Sequence, residues 1–175
     1  MKALLKEIEG RAEELRRARA NTIYIGGGTP SQLDVRHLTE IFDALQRVAP
    51  LQEGAEVTIE CNPDDVTPEF VAALKTTPVN RISMGVQTFD DGLLRLLRRR
   101  HTPEQAHRAV DMLREAGYSN ISLDLMYGLP GQTMDMWIRD VEEMLSLHVP
   151  HLSAYSLQWE EGTPLYLMLE RGEVE

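Results

Sequence analysis

Five short runs rich in β-branched residues recur along the chain, and a helix pattern follows each one. They are Thr22–Ile25, Glu56–Cys61, Arg81–Gln87, Asn120–Leu125 and Leu152–Leu157. Strict alternation of strand and helix leaves one arrangement with short connections. It is a set of parallel strands joined by right-handed crossovers, with the helices outside. The helices are expected near 3–19, over Val35–Val48, from Thr67-Pro68-Glu69, over Asp91–Leu97, from Thr102-Pro103-Glu104 to Gly117, over Asp135–Leu147, and from Thr163-Pro164-Leu165. A threonine N-cap followed by proline starts three of these helices, because proline needs no hydrogen-bond partner in the first turn. The chain opens on a helix rather than a strand, which predicts that the strand preceding that helix is missing. The domain expected is therefore a single, incomplete α/β domain over 1–175 with about five βα units.

The two faces of these strands differ. Alternate side chains point to opposite faces. One face carries Ile23, Ile25, Val57, Ile59, Cys61, Ile82, Met84, Val86, Ile121, Leu123 and Leu125, and is expected to pack against the helices. The other carries Tyr24, Thr58, Glu60, Ser83, Gly85, Gln87, Ser122, Asp124, Ser153 and Tyr155. Parallel sheets covered on both faces are usually apolar on both. A polar inner face fits a curved sheet that binds something, and in barrels the site lies at the C-terminal strand ends. Glu60, Gln87 and Asp124 are expected there on three successive strands.

Composition narrows the function classes. The net charge of −10 opposes binding to a phosphate backbone, so no nucleic-acid partner is expected. No apolar run approaches the ~20 residues needed to span a bilayer, and no leader peptide is recognisable, which makes the cytoplasm the expected compartment. The single cysteine, Cys61, excludes an internal disulfide or a multi-thiolate metal site within these residues. It falls on the helix-facing side of its strand, where a buried inert thiol is expected.

Gly26-Gly27-Gly28-Thr29-Pro30-Ser31 is the sharpest local feature. Glycines at a strand end let a ligand approach the backbone, whose N–H groups can then hold a carboxylate or phosphate. The spacing matches neither a dinucleotide fingerprint nor a phosphate loop, and a purely structural turn stands beside the binding reading. Arg98-Arg99-Arg100-His101 is a basic run with two readings: salt-bridge partners on a solvated face, or one arginine turned inward to a ligand carboxylate. The five histidines show no metal-ligand spacing.

Five stretches carry a resemblance: IYIGGGTPSQL (23–33), VTIECNPDDVT (57–67), RISMGVQTFDDGLLRLLRRRH (81–101), AGYSNISLDLMYGLPGQT (116–133) and HLSAYSLQWEEGTPLY (151–166). In order and spacing they resemble the radical S-adenosylmethionine (SAM) family, in its branch of oxygen-independent coproporphyrinogen III oxidases and HemW-type heme chaperones. The resemblance implies a partial TIM-like (βα) barrel. It also implies that Gly27, Gly28 and Thr29 hold the amino-acid end of SAM, and that Glu60 contacts its ribose. Gln87, Arg99 and Asp124 fall on further SAM-binding positions, and Gln158 on a contact near the adenine. Arg99-x-His101 and Gly128-Leu129-Pro130-Gly131-Gln132-Thr133 look more like the heme chaperones than the oxidases.

The resemblance further implies SAM and a 4Fe–4S cluster as cofactors. Porphyrinogen or heme is the implied ligand, and heme acceptors or electron donors are the implied protein partners. The oxidase reaction would convert coproporphyrinogen III to protoporphyrinogen IX by oxidative decarboxylation. The family's C-x-x-x-C-x-x-C cluster motif does not occur here, and one cysteine cannot hold a 4Fe–4S cluster. The chain thus reads as a fragment or truncated form with no catalytic residue of its own, inactive by itself. Loss of a first strand would leave Thr22–Ile25 with an open edge prone to dimerise. Two other readings remain: a non-catalytic heme-binding carrier module, and a βα-barrel enzyme that uses Gly26–Gly28 to hold a phosphorylated substrate.

Overall fold

The apolar strand face predicted above is the floor of the core. Val57, Ile59, Cys61, Ile82, Met84, Val86, Ile121, Leu123 and Leu125 lie in one buried cluster with Leu38, Phe42, Leu74, Val110, Leu113 and Met144 from the helices. Full burial of such a side chain contributes about 1.5–3 kcal/mol each, so the alternation fixes which face meets the helices. The computed structural model describes residues 1–18 and 20–175. Its strands are β1 (Thr22–Ile25), β2 (Glu56–Cys61), β3 (Arg81–Gln87), β4 (Ile121–Tyr127) and β5 (His151–Ser156). They form one sheet in the order β1-β2-β3-β4-β5, and every neighbouring pair is parallel.

The helices are α1 (Lys2–Gly10), α2 (Ala12–Ala18), α3 (Val35–Val48), α4 (Pro68–Leu74), α5 (Asp91–Leu96), α6 (Pro103–Glu115), α7 (Met134–Ser146) and α8 (Pro164–Glu170). The expected starts hold. Thr67, Thr102 and Thr163 accept from Phe70 N, Gln105 N and Tyr166 N, and each precedes a proline. Gln105 also closes a capping box on Thr102.

Three expectations need correction. The helix read over 3–19 is two helices broken at Arg11, directly after Gly10, a residue of low helix propensity; residue 19 lies outside the described residues. Leu5 and Ile8 of α1 pack with Ile41, Ala44 and Val48 of α3. The fourth strand runs on to Tyr127, because Met126 and Tyr127 pair with Tyr155 and Ser156. Asp124 is therefore a mid-strand residue, paired with Gly85 and Ser153, rather than a strand-end one. The fifth strand begins one residue early, at His151, whose Nδ1 lies 2.7 Å from Ser122 Oγ on β4.

Among the described residues β1 pairs on one side only, as does β5 at the other edge. No described helix is long and apolar enough to cross a membrane.

Candidate S-adenosylmethionine site

A cleft lies at the C-terminal end of the sheet, on its polar face, with about 550 Å³ of empty space open to solvent. Seven of the eight site residues expected from the sequence border it: Gly27, Gly28, Thr29, Glu60, Gln87, Arg99 and Asp124. Gln158 does not. It lines an adjoining hollow with Met126, Ser156 and Leu157, and Tyr155 borders both spaces.

The glycine loop follows β1 and meets the end of β2 through Glu60. Gly27 N–H donates to Glu60 Oε2 at 3.0 Å, and Tyr24 O–H donates to Oε1 at 2.8 Å. Gly27 has φ +106°, a left-handed conformation that side chains resist. Gly26 is required for another reason. A Cβ there would stand 2.8 Å from the Glu60 carboxyl carbon and 2.6 Å from the Tyr24 ring. The Gly27 N–H thus already holds a carboxylate, that of Glu60. Burial and the neighbouring Glu60 raise the Tyr24 phenol above its ordinary pKa.

The opposite wall is built on an irregularity in β3. The register with β4 shifts between Gly85 and Gln87, and Gln87 adopts φ +72°. The bulge re-aims Gln87, a common use of such features beside sites. Its Oε1 accepts from Tyr155 O–H at 2.8 Å.

The basic run divides between an outward arginine and an inward one. Arg100 faces outward and pairs with Asp64 at 2.8 Å and Asp65 at 3.1 Å. Arg99 turns inward, where its Nη2 donates to Asn62 Oδ1 at 2.6 Å and to the Gly85 carbonyl at 2.8 Å. Arg98, between α5 and Arg99, sits at φ +54°. Burial lowers the pKa of Arg99, but a guanidinium remains charged in a protein. A Cβ at Gly85 would lie 2.8 Å from Gln87 Nε2 and 3.2 Å from Arg99 Nη2, so this glycine makes room for both.

Asp124, on β4 beyond β3, also borders the cleft. Burial raises its carboxyl pKa, as does the nearby Glu60, while a hydrogen bond from Ser153 opposes the rise. Cys61 borders the cleft, yet it is 4 % exposed and belongs to the core cluster. Burial pushes its thiol well above the ordinary value, so it is inert, as expected.

Several contributors are not visible from sequence patterns. Asn62, read only as part of a turn, positions Arg99. Asp140 of α7 is buried and accepts from Thr88 O–H at 2.8 Å and Phe89 N–H at 2.7 Å, tying the loop after β3 to a helix 51 residues on. His101 is buried with Nε2 3.1 Å from the Val86 carbonyl, beside the bulge. An asparagine in a turn or an aspartate in an amphipathic helix looks the same whether or not it has a distant partner.

The cleft fits SAM. Two glycines leave space that a Cβ would fill, and the polar lining combines donors with two carboxylates. A metal centre does not fit in the same way. Among the described residues no group of three or more His, Cys, Asp or Glu side chains could hold a metal ion. The lone thiol points into the core. The residues present do not fit an iron–sulfur cluster.

Residues 2–144 match the model of the radical SAM superfamily. The chain is 45% identical over 151 residues to the heme chaperone HemW of Lactococcus lactis, covering 86% of this chain and 40% of that protein. It is 36% identical over 160 residues to heme chaperone HemW of Escherichia coli, covering 91% of this chain and 42% of that protein. The chain thus spans about two fifths of the length of these relatives. Among solved structures, coproporphyrinogen III oxidase (HemN) from Escherichia coli superimposes with a TM-score of 0.86 at 26% identity, over 99% of this chain and 40% of that one. The match over most of the chain, on the fold and cleft described, makes this chain a member of the radical SAM superfamily.

Proposed function

We propose that the cleft binds S-adenosylmethionine, and that the chain is the SAM-binding part of a radical SAM protein that handles heme or porphyrin. The observation that carries this is the cleft's charge pattern. Glu60, Asp124 and Arg99 line the same space as a glycine loop. A ligand with both cationic and anionic groups suits this lining, and SAM carries a sulfonium, an ammonium and a carboxylate. A phosphorylated substrate suits it poorly, since two carboxylates beside the loop repel a dianion.

In this reading Gly27, Gly28 and Thr29 take the amino-acid end. Glu60 accepts from the ribose hydroxyls, a usual carboxylate task. Asp124, Gln87 and Arg99 complete the polar contacts, and Gln158 flanks the adenine from the adjoining hollow. With an iron–sulfur cluster, which the residues described here do not hold, SAM would supply radical chemistry. These residues bind and orient it.

The names of the relatives support a heme-chaperone role ahead of coproporphyrinogen oxidation, with heme as ligand and heme-acceptor proteins as partners of the whole protein. The test is calorimetry with SAM on this chain and on Glu60→Ala and Asp124→Ala. Binding that weakens at least tenfold in both variants is expected, each loss being that of a charge-assisted contact. Equal affinity in all three proteins would refute the site. Addition of hemin, followed by its Soret band, tests the heme role separately.

A further inference from the structure

We infer that Asp65, which does not line the cleft, is the positioning residue that holds the glycine loop in its ligand-ready place; the inference rests on the SAM reading of that cleft. The ladder between β1 and β2 ends at Ile25 and Ile59, so the loop beyond has no strand pairing to hold it. At the front it is tied by the Gly27–Glu60 bond. At the back, Asp65 does this work. Its Oδ2 accepts from Ser31 Oγ at 2.7 Å and Asn62 Nδ2 at 3.3 Å. Its Oδ1 accepts from Gln32 Nε2 at 3.1 Å and Arg100 Nη2 at 3.1 Å.

One carboxylate thus ties its own segment to two distant ones. Ser31 and Gln32 continue the glycine loop through the 3₁₀ turn Pro30–Gln32. Asn62 follows β2 and carries Arg99 on its other side-chain atom. Arg100 is the neighbour of Arg99. All three segments contribute cleft-lining residues, namely Pro30, Asn62 and Arg99. The Asp65 side chain is 12 % exposed, so water competes little for its four donors. Four donors on two oxygens need a carboxylate. An amide in the same shape offers one acceptor oxygen and turns its own donors toward the rest.

The loop is assigned to the amino-acid end of SAM, so Asp65 is expected to act on that end alone. The test compares SAM with 5′-methylthioadenosine, which keeps the nucleoside and lacks the amino-acid end. In Asp65→Asn, affinity for SAM is expected to fall about tenfold, the loss of one to two charge-assisted hydrogen bonds, with methylthioadenosine unchanged. Amide exchange of the unliganded chain is expected to quicken over 26–33 and to stay unchanged in β3 and α6. Equal losses for both ligands would show a merely structural residue and overturn the inference, as would unchanged exchange over 26–33. If the parent chain binds neither ligand, the SAM reading fails, while exchange still decides whether Asp65 holds the loop. Should Asp65→Asn not fold, Ser31→Ala with Gln32→Ala removes the two donors from the loop side, with the same outcomes deciding.

Discussion

The hydroxyl of Tyr155 donates to Oε1 of Gln87 at 2.8 Å, joining an edge strand to the bulged end of β3 across 68 residues of sequence. Gln87 is 9 % exposed. In Tyr155→Phe its carbonyl loses this donor while staying largely out of water. The expected cost is about 1 kcal/mol, read as a lower midpoint in urea. Gln87 borders the cleft, so a weaker calorimetric response to SAM should accompany it. An unchanged midpoint would mean that water replaces the tyrosine without cost.

Arg98 offers a stabilising change. The chain leaves α5 with Arg98 N–H bonded to the Arg95 carbonyl and Arg99 N–H to the Leu94 carbonyl, with Arg98 itself at φ +54°. The same closure ends α6 with a glycine, Gly117, in the left-handed position. An L side chain there costs roughly 1–2 kcal/mol, part of which glycine returns through a more flexible unfolded chain. Arg98→Gly is therefore expected to raise stability by about 0.5–1 kcal/mol and to leave Arg99 in place. A drop in melting temperature would contradict this.

Gly26 and Gly28 should separate folding from binding. Gly26→Ala drives a Cβ onto Glu60 and Tyr24 and should cost about 1–3 kcal/mol of stability. A Cβ on Gly28 meets nothing within 4 Å, so Gly28→Ala should fold normally. It projects beside the cleft, however, and should weaken SAM binding. Thermal melts and calorimetry on the two variants check both halves, and matching behaviour would count against the loop geometry.

Asp124 sets a pH dependence. Its carboxyl pKa is raised, chiefly by burial and then by Glu60. The proton returns at a higher pH than in an unfolded chain, so the unliganded fold loses stability as pH rises through this pKa and regains it as pH falls. Binding of cationic SAM runs the other way, because the ionised form is the attractive one. Affinity should fall as pH drops from neutral toward the raised pKa, and Asp124→Asn should bind weakly with a flatter profile. A calorimetric series showing the same slope in both proteins would remove Asp124 from the site.

The open edge of β1 has a consequence for association. Among the described residues its outer side has no strand partner, and unpaired edges invite pairing between chains. Light scattering at increasing concentration is expected to show dimers or larger species. A single monomeric mass throughout would mean that this four-residue strand is too short to pair.

Much of this molecule was already determined by residue order. Alternating Val, Ile, Leu and Met along β2, β3 and β4 set both the strands and the face that packs inward, because burial of that face outweighs local preference. Threonine caps before proline set where α4, α6 and α8 begin, since capping is a contact between residues three apart. The glycine run and the carboxylates of the polar face marked residues that line the cleft, for the same local reason. Only the tertiary structure decided that Arg99 turns inward while Arg100 turns out, because that depends on the left-handed turn at Arg98 and on Asn62, 37 residues away. It alone decided that Asp124 lies mid-strand, that Tyr155 anchors Gln87, and that Asp65 ties its own segment to two distant ones. These relationships join residues far apart in sequence. Periodicity and spacing record a residue's own element and not the partner it meets across the fold.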